Sequence, residues 1–192
     1  MVAAFQTYIR QHTNLSNAEI EHICLPATQK ILQRNESLLH EGQVCRHKIF
    51  VATGLLRNFG TAADGSQHVL QFAPENSWTL DVESYDRQTP ATINIAAIER
   101  SEVLLWSRAD FDRLLSEVPG LKAFSQQIIS RNIYNSRQRI LMALSATPEE
   151  KYDDFVQAHP TLLSRLPLHM IASYLGISIK TLTRLRHAQL HR

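Results

Sequence analysis

The sequence predicts an α+β protein, with a strand-rich middle framed by helices at both ends. Three observations carry this. From about Thr28 to Trp106 the chain is cut into short runs rich in β-branched and aromatic residues: KILQ, SLLH, KIFVAT, LLRNFGT, HVLQFA, TINIAAI and EVLLWS. Seven or eight short strands at that spacing make a sandwich or a barrel. After Pro119-Gly120 comes the longest helical register of the chain, about Leu121 to Ser145. The closing stretch, PLHMIASYLGISIKTLTRLRHAQLHR, has the periodicity of two short helices either side of a Gly.

In chain order, Phe5, Ile9 and His12 begin a helical register that ends near Asn14-Leu15. Ser16-Asn17-Ala18-Glu19 is a capping box for a second short helix through Ile20 and Ile23, which Pro26 ends. Turn signals among the strands include Glu41-Gly42, Thr53-Gly54 and Asp64-Gly65, the last predicting a hairpin that joins Phe59 to Val69. Trp78 and Trp106 read as core. Ser107 to Asp110 caps a helix with Phe111, Leu114 and Leu115 on one side. The long register carries an apolar stripe of Leu121, Phe124, Ile128, Ile129, Ile133, Ile140 and Leu144, interrupted by Asn132, Asn135 and Ser136.

A helix of about 25 residues is nearly 40 Å long, more than so small a domain covers by itself. Two readings follow: a helix lying on the strand domain, or a two-helix homodimer seam over 121–145 whose polar positions fix register. The second is favoured by the length of the stripe and its polar flanks. Thr147-Pro148-Glu149-Glu150 opens the next helix, with Tyr152 and Phe155 inward and a stop before Pro160. A boundary is expected near Ala146.

Charge is segregated. The chain holds 20 Lys+Arg and 18 Asp+Glu, a balance that implies nothing taken whole. Its last 32 residues hold five Lys/Arg and three His with no acid, leaving 15 basic against 18 acidic residues in the first 160. A locally cationic, acid-free segment is the electrostatic footprint of a polyanion partner, since the local field decides where a phosphate backbone docks. The solitary Cys24 and Cys45 argue against a structural zinc or iron–sulfur site. No apolar run approaches the roughly 20 residues of a membrane span. The N-terminus lacks the features of a signal peptide. A cytoplasmic protein is expected.

Within the cationic tail, Leu168, Ile171, Ala172 and Leu175 follow i, i+3, i+4, i+7 spacing from Pro167. Gly176 stands where a helix stops in the left-handed conformation, Ile177 is expected to be buried beside the turn, and Ser178 can cap the following helix. On that second helix Leu182, Leu185 and Gln189 share one side, and Lys180, Arg184, His187 and His191 the other. This is the grammar of a helix-turn-helix, with small Ala172 where two helices cross. Arg184 is a candidate for paired bonds to guanine O6 and N7, and Lys180 for a base edge or phosphate. Ser178, Thr181 and Thr183 suit phosphate oxygens near a helix N-terminus, and Ile179 a thymine methyl. Arg165, Arg186 and Arg192 are expected on phosphates, and His187 lies on the same face. Double-stranded DNA is the expected partner. The bland alternative is an amphipathic hairpin with a solvated basic face.

Other constellations carry less. His187 and His191 have metal-compatible spacing but no local Cys or carboxylate. Asp81, Glu83 and Asp86 form an acidic cluster, read as a solvated loop or an effector-pocket wall rather than as acid–base machinery. No G-x-S-x-G elbow assembles a Ser/His/Asp set. No catalytic residue, cofactor or metal is assigned, and no enzyme is expected.

Over nearly its full length the chain resembles the Crp/Fnr family of bacterial transcription regulators. LLHEGQ (38–43), IFVATGLLRNF (49–59), SEVLLWSRADFDRLL (101–115) and IASYLGISIKTLTRLR (171–186) carry the likeness, the last being the most specific. The resemblance implies an N-terminal cyclic-nucleotide-binding-like β-roll, or double-stranded β-helix, over 1–118. A dimerisation helix over 119–146 and a helix-turn-helix DNA-binding domain over 147–192 complete the expected plan. Gly42 and Gly54 would turn the roll. Relatives that bind cyclic AMP carry Gly-Glu in the phosphate cassette and an Arg about ten residues on. Here Leu80-Asp81 replaces the pair and Ala91-Thr92 stands at the Arg position. A buried phosphate without that Arg has no charge partner, and Arg87 would need a different loop path. The expectation is a roll that does not use cyclic AMP. Leu80, Asp81, Val82, Glu83, Ala91 and Thr92 are the candidate surroundings of an unidentified small-molecule effector, if one exists. The family's β-hairpin wing and the cysteine cluster of its oxygen sensors have no counterpart in these residues. The different-class alternative is a ligand-binding or protein-interaction module on the same fold.

Overall fold

The computed structural model describes residues 1–190, with side chains to Ala188; His191 and Arg192, and the side chain of Gln189, lie outside the described residues. Two helices, α1 (Val2–His12) and α2 (Asn17–Cys24), precede the strands. The predicted box at Ser16 is present: the Ser16 hydroxyl accepts from the Glu19 amide, and the Glu19 carboxylate accepts from the Ser16 amide at 2.8 Å.

Eight strands follow: β1 (Thr28–Leu32), β2 (Ser37–Leu39), β3 (His47–Thr53), β4 (Leu55–Thr61), β5 (Gln67–Pro74), β6 (Ser77–Thr79), β7 (Asn94–Ala97) and β8 (Ser101–Ser107). They form two antiparallel four-stranded sheets, ordered β1-β8-β3-β6 and β2-β7-β4-β5. The predicted hairpin is there, with Phe59 opposite Val69 beside a bulge, Gly65 at φ +82°, and the Ser66 amide donating to Asp64.

The apolar runs at β3 and β8 lack an exposed face because the first sheet is covered on both sides. Ile49, Val51, Val103 and Leu105 face the second sheet, with Leu56, Ala73 and Ile95 in the same core. Phe50, Ala52, Leu104 and Trp106 face outward beneath Phe5, Ile9 and Ile20 of the N-terminal helices. Trp106 is fully buried and its indole N–H donates to the Ile23 carbonyl at 2.8 Å. Trp78 is half-buried against the rings of Phe5, Phe50 and Trp106.

α4 (Arg108–Glu117) starts on the predicted Ser107 cap, and α5 (Pro119–Ser145) runs 27 residues. Its first turns pack into the body, with Leu121 and Phe124 buried and Ile128 half-buried, whereas every residue from 129 to 141 is exposed. α6 (Pro148–Ala158) opens on the Thr147 box, and α7 (Leu168–Leu175) and α8 (Ile179–Leu190) follow.

Two short elements depart from the sequence reading. The stretch at Ser77 is a three-residue strand, β6. The acidic cluster read as a loop is a helix, α3 (Val82–Arg87). The tail is also not separate from the roll. Leu55, Val69, Phe72 and Ile98 of the roll share one core with Phe155, Ile171, Leu175 and Leu182. Among the described residues no helix is long and apolar enough to cross a membrane.

Candidate nucleic-acid interface

The candidate interface lies on α7 and α8. α7 buries Met170, Ile171, Ala172 and Leu175, and α8 returns Leu182 and Leu185, 0% and 7% exposed, into the same core. Between them Gly176 adopts φ +66°, ψ +35°, the left-handed cap expected of it. The Ile177 amide reaches back to the Ala172 carbonyl at 3.1 Å. Ile177 is half-buried rather than buried. Ser178 caps α8: the Thr181 amide donates to its Oγ at 3.0 Å.

With Leu182 and Leu185 inward, the opposite side of α8 faces solvent. Ser178, Ile179, Lys180, Arg184 and His187 are exposed, and Thr181, Thr183 and Arg186 are half-buried. Lys180, Arg184 and His187 fall at i, i+4 and i+7, one face of the helix. Several of these groups already have partners. The hydroxyls of Ser178 and Thr181 pair at 2.8 Å, and Thr183 donates to the Ile179 carbonyl at 2.9 Å. Arg184 lies 3.7 Å from Glu149, with side chains 73% and 57% exposed. So solvated a pair is weak and yields readily to a stronger acceptor. The Thr147 box made Glu149's place at the start of α6 legible, but not its meeting with Arg184.

Arg165 departs from its expected place. It does not join the α8 face; its guanidinium binds two carboxylates of the roll. It donates to Glu75 at 3.1 and 3.0 Å and to Glu99 at 2.6 Å. Its hydrogen bonds to Glu99 are the main reason its pKa is raised, and those to Glu75 add to it. Burial works to raise the Glu75 carboxyl, but the hydrogen bonds and charge of Arg165, together with a backbone hydrogen bond, outweigh it and hold Glu75 below its ordinary value. Ser173, Tyr174 and Arg139, which the sequence reading passed over, also join tail to roll.

The residues named for an effector gather around the start of α3. Asp81 is 5% exposed and is the α3 cap: its two oxygens accept from the amides of Ser84 at 3.0 Å and Thr92 at 3.1 Å. Asp81 is thus a buried helix cap rather than a solvated loop acid. Leu80 is half-buried against the roll core. Ala91, 3% exposed, exchanges backbone bonds with Gly42 and Gln43. Val82 and Thr92 are exposed, and Glu83 pairs with Arg87 at 2.9 Å.

A family profile, the cyclic nucleotide-binding domain, matches residues 29–118. Transcriptional activator protein FnrA of Stutzerimonas stutzeri is 25% identical over 168 residues, 80% of this chain and 66% of FnrA, just under two thirds of its length. FixK2 from Bradyrhizobium japonicum superposes with a TM-score of 0.73 at 18% identity, over 87% of this chain and 85% of that one. The catabolite activator protein of Thermus thermophilus gives 0.59 at 19% identity, over 93% and 85%. Over most of its length the chain is thus similar in fold to these regulators, and its strand-rich half matches the cyclic nucleotide-binding domain.

Proposed function

We propose that this protein is a DNA-binding transcription regulator of the Crp/Fnr type rather than an enzyme, that it acts as a homodimer, and that it does not use cyclic AMP. The observation that carries the reading is α8, capped, anchored by Leu182 and Leu185, and presenting Lys180, Arg184 and His187 to solvent. In this scheme residues 1–118 form the sensor, 119–146 the dimer helix and 147–192 the DNA-binding part. Arg184 gives up Glu149 for guanine O6 and N7. Lys180 binds a base edge or phosphate, and Ile179, 52% exposed, meets a thymine methyl. Ser178, Thr181, Thr183, Arg186 and His187 take phosphate oxygens, the hydroxyls exchanging their present partners to do so.

The dimer is supported by the exposed length of α5. A helix segment with so little packing is marginal alone, and Ile129, Ile133, Ile140 and Leu144 remain 51%, 52%, 60% and 82% exposed. A second copy of the same stripe covers them. The negative claim about cyclic AMP is supported by Asp81, whose carboxylate already occupies the Ser84 and Thr92 amides. A cyclic phosphate would face that anion, with buried Ala91 where cyclic AMP-binding relatives have an Arg. Any effector is a different small molecule.

Retention on duplex DNA with rising salt tests the reading. The parent should lose affinity steeply, with a log–log slope of about −0.9 per phosphate contact. Lys180→Ala with Arg184→Ala should abolish sequence preference and flatten the slope. A parent that binds no duplex even at low salt would refute the proposal and favour an interaction module on this fold.

A further inference from the structure

We propose that Arg165 is a positioning residue for the recognition helix, fixing the direction in which α8 leaves the roll; the inference rests on the DNA-binding reading above. Arg165 lies in the segment between α6 and α7, two residues before Pro167, on which α7 begins. Its two carboxylate partners belong to the roll: Glu75 follows β5, and Glu99 lies between β7 and β8. The side chain is only 21% exposed. A planar fork on paired oxygens fixes orientation as well as distance, which an apolar contact does not.

Two further contacts act on the same joint. β5 is a sheet edge, and edges leave unpaired backbone groups. Ser173 of α7 satisfies one of each kind: its Oγ accepts from the Val69 amide and donates to the Gln67 carbonyl, both at 3.0 Å. Arg139 of α5 lies 3.9 Å from the centroid of the Tyr174 ring and donates to the carbonyls of Leu70 and Tyr174. α7 is therefore tied at one end by Arg165 and along its length by β5 and α5. α8 packs on α7 through Leu182 and Leu185, so its direction is set by these ties. In this docked arrangement Lys180, Arg184 and His187 face solvent. The docked tail is thus the DNA-ready one, and the cost of ordering it is met before DNA arrives.

The sequence reading of Arg165, a direct phosphate contact, predicts the opposite effect for one pair of substitutions. Glu75→Gln with Glu99→Gln keeps the side-chain shapes, removes two negative charges and releases Arg165. A direct phosphate contact would then leave DNA binding unchanged or tighten it. The positioning role predicts weaker binding despite the added net positive charge. If the aligned state falls to about one molecule in ten, apparent affinity falls about tenfold.

The experiment measures affinity of full-length parent and double variant for a duplex that the parent enriches from a random pool, with amide hydrogen exchange of α7 and β5 read without DNA. Weaker binding together with faster exchange at Val69 and across α7 is the expected result. Unchanged or tighter binding, or unchanged exchange, overturns the positioning role while leaving the DNA reading intact. A parent that enriches no duplex overturns the DNA reading, and this proposal with it. Arg165→Lys separates charge from fork: it should weaken binding too, whereas a simple charge role predicts full rescue.

Discussion

Replacing Ile133 by Ala separates the proposed dimer interface from the fold. Ile133 is 52% exposed at the middle of the stretch of α5 that leaves the body. Burying an Ile side chain completely stabilises by about 1.5–3 kcal/mol. About half of that is still available to a partner, so each copy should lose roughly 0.8–1.5 kcal/mol. Twofold symmetry counts the loss twice, about 1.5–3 kcal/mol in all, or a dissociation constant about 10- to 150-fold higher. The monomer should not suffer, because Ala is the better helix former. Sedimentation equilibrium on parent and variant over a range of concentrations reads this directly. Leu25→Ala serves as a control: Leu25 is 80% exposed but lies at the end of α2, away from the stripe. A parent that is monomeric at tens of micromolar would refute the reasoning. So would an Ile133→Ala protein that dimerises as tightly as the parent.

Other outcomes follow from the same structure. Gly54 sits at φ +90°, and an added Cβ would lie 2.4 Å from Ser101 Oγ and 2.7 Å from the Arg100 carbonyl oxygen. Backbone cannot yield there, so Gly54→Ala should cost about 3 kcal/mol or more and lower the melting temperature of the roll well beyond any effect of Gly42→Ala. Gly42 has φ +86° but open space around it, leaving strain alone, about 1 kcal/mol. Asp81→Ala strips two amides of their acceptor and should cost about 2 kcal/mol in urea unfolding; a neutral result would mean that Asp81 is not the cap it is taken to be. Burial lowers the pKa of His47 and His159 below the ordinary 6.5. The unfolded chain then binds more protons, so this stability is complete above 6.5 and is lost as pH falls below it. The lowered Glu75 carboxyl acts in the same direction in a separate window, its contribution being complete above 4.5 and lost below. Chemical unfolding from pH 8 to 4 should show stability falling with acidification, and a rise between 6.5 and 5.5 would contradict these environments.

Features decided within one turn of chain were legible in the sequence. The caps at Ser16, Ser107 and Thr147 and the left-handed Gly176 follow from local hydrogen-bond geometry, and each lies where the sequence puts it. The apolar runs at Phe50 and Trp106 were visible as strands, though not the reason both faces are buried, which is that helices cover the outer one. The missed elements are short. β6 is three residues paired only to β3, and α3 is six residues held by Asp81, whose second partner is eleven positions away. Arg165 shows the limit most plainly. Its charge and setting in an acid-free tail suited phosphate, but its partners lie 90 and 66 residues upstream, and nothing local reports them.

In the proposed function two copies of α8 read DNA together. Selection of bound duplexes from a random pool by the parent, repeated with Lys180→Ala and Arg184→Ala, tests it most directly. A twofold-symmetric site whose half-sites are about one helical turn apart should be enriched by the parent and lost in the variant. Enrichment of a single unpaired half-site would contradict the dimer, and enrichment that survives the loss of Lys180 and Arg184 would contradict the recognition helix.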